Sequence, residues 1–80
     1  MNADKLSNTI AAEIRAEMAR QQRTTSELAA VLGVKIRAAQ RRYSGEIEFS
    51  LDEIDDVAEW LGVPRTQLMN APASGVAIAS

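Results

Sequence analysis

Leu6, Ile10, Ile14 and Met18 recur at a strict four-residue spacing, which keeps one face of a helix apolar. Ala11, Ala12, Ala16 and Ala19 widen that face and favour helix, while Glu13, Arg15, Glu17 and Arg20 mark the wet side. The pattern predicts a first helix over about residues 4–21, with Asn2, Asp4 and Ser7 as alternative caps. Thr24-Thr25-Ser26-Glu27 then reads as a capping box: the Thr24 hydroxyl accepts from the Glu27 amide, and the Glu27 carboxylate accepts from the Thr24 amide. Leu28, Val31 and Leu32 supply the apolar stripe of a second helix about eight residues long, stopped at Gly33. A helix so short persists only through tertiary contacts.

Residues 35–44 are good helix formers ending at Gly45 and predict a third short helix over 36–44, with Lys35 just before it. Within it only Ala39 and Tyr43, four apart, form an inward ridge, so this helix spends little of its surface on a core. Glu46 to Phe49 alternates polar and apolar, but with no partner strand it reads as an extended connector. Ser50-Leu51-Asp52-Glu53 is a second capping box, and Ile54, Val57, Ala58 and Leu61 make the stripe of a fourth helix ending at Gly62. Pro64 suits the start of a last helical turn carrying Leu68 and Met69. The reading is a compact all-α domain of five helices over residues 1–69, with residues 70–80 a flexible C-terminal tail. The tail's small apolar ending is open to reading as a degradation tag or as an inert terminus.

Eighty residues suffice for one small domain. The chain has no cysteine and no histidine, which removes disulfides, thiolate metal sites and the commonest general base. No carboxylate stands in a nucleophile or metal-loop pattern, so the expectation is a non-enzyme with no cofactor, no metal and no small-molecule substrate. No apolar run approaches a membrane span or a signal peptide, which predicts a cytoplasmic protein with no membrane partner.

The net charge of −2 conceals a strong separation. Residues 15–42 carry seven bases against two acids, whereas residues 46–59 carry seven acids and no base. Four of the bases, Lys35, Arg37, Arg41 and Arg42, fall on or beside the third helix, which holds no acid to balance them. An ordinary exposed helix mixes signs, so a helix of one sign with little core duty is suited to an anionic partner. The acidic fourth helix reads as a solvated face turned away from that partner rather than as a metal site.

Two short helices joined at Gly33, the second basic and shallowly buried, form a helix-turn-helix. Gly33 supplies the positive φ of the turn, Ala29 and Ala39 permit close approach, and Leu28, Leu32 and Val34 seal the junction. Residues 8–69 resemble the lambda-repressor-like (Cro-type, xenobiotic-response-element) helix-turn-helix family. The resemblance rests on Glu27-Leu28-Ala29, Leu32-Gly33-Val34, Arg41-Arg42-Tyr43-Ser44-Gly45-Glu46, Phe49-Ser50-Leu51-Asp52-Glu53-Ile54, Ala58 and Leu61-Gly62-Val63-Pro64. The Arg-Arg-x-Ser-Gly-Glu ending is similar to that of phage and actinobacterial regulators. The chain departs from the family in having Lys35 rather than Ser or Thr before the third helix, Ala39 at the inner position, and Thr25 in place of Gln.

The resemblance implies a transcriptional regulator, Cro-like and repressive, whose third helix enters the major groove of a double-stranded DNA operator. Arg37 and Arg41 share one helical face and suit guanine; Gln40 suits adenine. Ile36 is open between contact with a thymine methyl and packing against the second helix. Lys35, Arg42 and Thr25 are expected at phosphates, with Arg23 and Ser44 as further candidates. A homodimer through the C-terminal region (Ile47 to Phe49, Trp60, Val63 to Met69) would complete a two-fold site, with Trp60 serving either core or partner. Alternatives of the same fold are a protein-binding antirepressor or antitoxin module and an excision accessory factor that bends DNA.

Overall fold

A computed structural model describes residues 2–69, with side chains from Thr9 onward. The chain forms α1 (Asn2–Arg20), α2 (Thr25–Leu32), α3 (Ile36–Ser44), α4 (Leu51–Leu61) and α5 (Arg65–Leu68), with no strand among the described residues. The expected tail, residues 70–80, lies outside them, as does the Leu6 side chain. Because α1 already runs from Asn2, Asp4 and Ser7 sit inside the helix and do not cap it.

Both capping boxes form. Thr24 Oγ1 accepts from the Glu27 amide at 3.2 Å while Glu27 Oε1 accepts from the Thr24 amide at 2.7 Å. At α4 the Ser50–Glu53 exchange has distances of 3.0 and 3.1 Å. At the other ends, α2, α3 and α4 close on left-handed glycines, with the next amide folding back: Val34 to the Ala29 carbonyl, Glu46 to that of Arg41, Val63 to that of Ala58. The same closure ends α1, where the Arg23 amide reaches the Met18 carbonyl, but there the left-handed residue is Gln22, at φ 57°.

Ile10, Ile14 and Met18 of α1 meet Leu28 and Ala29 of α2, Ala39 of α3, Ile54, Val57, Ala58 and Leu61 of α4, and Leu68 of α5 in one core. Leu32, Val34, Tyr43, Phe49, Trp60, Val63 and Met69 pack around it, which places Trp60 against the core. Two expectations for α1 are corrected. Of Ala11, Ala12, Ala16 and Ala19 only Ala11 is buried, since the other three lie outside the arc that neighbouring helices cover. Glu17, read as wet, is 9% exposed because α5 and the end of α4 pack over it.

Glu17 survives there because its oxygens are occupied. Gln21 Nε2 donates to Oε2 at 2.8 Å, Arg20 donates to Oε1 through Nε and Nη2 at 3.0 and 2.8 Å, and Gln67 Nε2 lies 3.4 Å from Oε1. The hydrogen bonds from Gln21 and then Arg20 hold its carboxyl below the ordinary value, against the opposing push of burial. Gln21 Nε2 also donates to the Leu61 carbonyl at 2.7 Å, which ties the end of α1 to the end of α4.

Candidate nucleic-acid interface

The α2–α3 pair shares more contact than any other pair of helices, as a helix-turn-helix requires. Only Ala39 of α3 is fully buried; Ala38, Arg42 and Tyr43 are half-buried, and Lys35, Ile36, Arg37, Gln40, Arg41 and Ser44 are exposed. A methyl group is a thin footing, and polar contacts supplement it from two sides. Arg15 Nη1 of α1 donates to the Tyr43 carbonyl at 2.7 Å, with its guanidinium 5.9 Å from the centre of the Tyr43 ring. On the other side Arg42 Nε donates to Glu53 Oε1 at 3.0 Å, and Arg42 Nη1 to the Ala38 carbonyl at 3.1 Å.

On its outer side Arg37, Gln40, Arg41 and Ser44 line one open hollow of about 410 Å³ together with Glu46. Among the described residues no carboxylate pairs with Lys35, Arg37 or Arg41. Three expected base-contact residues are thus brought together. Ile36 is 41% exposed at the start of α3 and lies outside the buried core. Ser44 is engaged locally, its Oγ donating to the Arg41 carbonyl at 3.0 Å.

The other candidates are dispersed. Lys35 precedes α3 with no side-chain cap, leaving its ammonium exposed. Thr25 is half-buried at the first position of α2; the capping box takes the amides of Thr24 and Glu27, so those of Thr25 and Ser26 are the ones at that end left to an anion. Arg23 is turned to the core side, its guanidinium 5.1 Å from the Trp60 ring and its Nε donating to Gln21 Oε1 at 3.3 Å. Arg42 is paired rather than free: the expectation that no acid balances α3 is corrected by Glu53, which reaches it from α4. The acidic helix is therefore not wholly remote from the basic one. Leu68, expected on a dimer surface, is fully buried and drops out of it.

Sequence reasoning also missed Glu46. It counted among the acids of the following segment, yet the closure at Gly45 returns its amide to the Arg41 carbonyl at 2.9 Å and sets it beside the basic hollow. The fold-back at a left-handed glycine was the signal available for this. Arg15 likewise carried no sign of its partner, since Tyr43 lies 28 residues away.

Among the described residues no helix is long and apolar enough to cross a membrane. No curated protein and no solved structure matches the chain. The BetR domain matches residues 3–78, almost the whole sequence. With five helices among the described residues, a helix-turn-helix at α2–α3 and this match, the chain belongs to the BetR domain family and is a small helical DNA-binding domain of regulatory type.

Proposed function

We propose that the protein is a sequence-specific regulator of transcription, a Cro-like repressor that occupies a double-stranded operator with α3 in the major groove. One observation carries this reading: α3 gives only Ala39 wholly to the core, and its outer face gathers Arg37, Gln40 and Arg41 around one open hollow. Two guanidinium forks and an amide are the side chains that read guanine and adenine edges. Arg37 and Arg41 each donate to guanine O6 and N7, Gln40 pairs with adenine N6 and N7, and Ile36 meets a thymine methyl. Lys35 and the start of α2 at Thr25 hold phosphates and fix register, with Ser44 and the Arg23 end of the loop as lesser contacts.

A single domain offers few contacts, so the working form is a homodimer on a two-fold site with half-sites roughly 34 Å apart, acting in the cytoplasm without a cofactor. Selection of bound duplexes from a random pool tests the reading. It should enrich a two-fold motif, and Arg41→Ala should cost about 1–3 kcal/mol and relax one base position in each half. A pool that shows no enrichment, or binding indifferent to salt, contradicts it.

A further inference from the structure

We propose that Arg42 is a positioning residue for α3, clamped by Glu53, and not a phosphate contact; this rests on the DNA-binding reading above. The Arg42 and Glu53 side chains are 18% and 19% exposed, and the Nε to Oε1 distance is 3.0 Å. The guanidinium is further committed through Nη1 to the Ala38 carbonyl. That leaves little of it to reach outward, in contrast to exposed Arg37 and Arg41.

Glu53 Oε1 does two tasks at once. The atom that accepts from the Ser50 amide, closing the start of α4, also accepts from Arg42 Nε. The cap of α4 and the pitch of α3 thus share one oxygen. A helix seated on one fully buried alanine has little apolar resistance to rolling, so a directional ion pair at its last turn restrains the angle at which Arg37, Gln40 and Arg41 face the groove.

The test uses the full chain and a labelled duplex recovered by selection from a random pool. Affinity is measured over a salt series for wild type, Arg42→Gln, Glu53→Gln, the double variant and Ser50→Ala. Glutamine at 53 still caps α4 but gives up the charge. The proposal expects each single variant to bind roughly three- to tenfold more weakly, and the double variant no worse than either. The slope of log affinity against log salt stays at the wild-type value. Ser50→Ala lowers the melting temperature yet keeps its affinity at temperatures where circular dichroism shows it folded, which separates orientation from mere instability.

A phosphate-contacting Arg42 gives the opposite pattern: in Arg42→Gln the slope of log affinity against log salt shrinks in magnitude by about 0.9, and Glu53→Gln, by freeing Arg42, tightens binding. Either result overturns the proposal, as does equal weakening in Ser50→Ala. A wild-type protein that binds no duplex overturns the functional reading and this inference together; wild-type binding with the second pattern overturns this inference alone.

Discussion

Arg15 of α1 holds the end of α3 through Tyr43, donating to its carbonyl oxygen at 2.7 Å while its guanidinium lies 5.9 Å from the ring centre. The bond satisfies a carbonyl in the last turn of α3, where the helix is partially negative and a cation is favoured. Arg15→Met keeps the aliphatic stem and removes the charge. It should destabilise the fold by about 1–3 kcal/mol, read from the urea midpoint at unchanged slope. A midpoint equal to wild type would mean that α3 is held without this contact.

Glu17 makes stability depend on acid. Its carboxyl is held below the ordinary glutamate value of 4.5 by hydrogen bonds from Gln21 and Arg20, so the unfolded chain takes up its proton first as pH falls. The contribution is complete above about pH 4.5 and drains away as pH drops through the lower folded value. Thermal melts in this range should show stability rising with pH, with a shallower rise in Glu17→Gln. Identical pH profiles would remove Glu17 from the acid response.

Gln22 is the one described non-glycine residue at positive φ, and it does at the end of α1 what glycines do for α2, α3 and α4. A side chain in that conformation costs about 1–2 kcal/mol, offset in part by the greater freedom of glycine when unfolded. Gln22→Gly should therefore raise stability by about 0.5–1 kcal/mol in urea unfolding. A loss would indicate that the glutamine side chain contributes more than its backbone costs.

The elements were legible because their determinants are local. Thr24 with Glu27, Ser50 with Glu53, and the glycines at 33, 45 and 62 each declare a helix end within a few residues. The outer residues of α3 were equally legible, since its helical phase follows from Ala39 and Tyr43. What the pattern missed depends on which elements meet. Glu17 reads as wet until α4 and α5 cover it, and Arg42 reads as free until the start of α4 arrives beside it. The trace of the chain after Gly45 likewise decides that Glu46 joins the basic hollow.

Glu46 brings a negative charge to the face proposed for DNA. Beside a phosphate backbone it opposes binding, and near a cytosine amino group it accepts a hydrogen bond. At the rim formed by the last turn of α3 the first effect should dominate. Glu46→Gln should tighten duplex binding by about three- to tenfold near 0.1 M salt, less at higher salt, by fluorescence anisotropy. Weakened binding with an altered sequence preference would assign it to base reading instead.

Amide chemical-shift mapping on isotope-labelled protein, titrated with a selected duplex, tests most directly whether the outer face of α3 meets DNA. The largest changes should fall on Lys35, Ile36, Arg37, Gln40 and Arg41, with a second group at Thr25 and Ser26, while Asp52, Asp55, Asp56 and Glu59 stay nearly still. Changes centred on α4, or none along α3 at saturating duplex, would contradict the account.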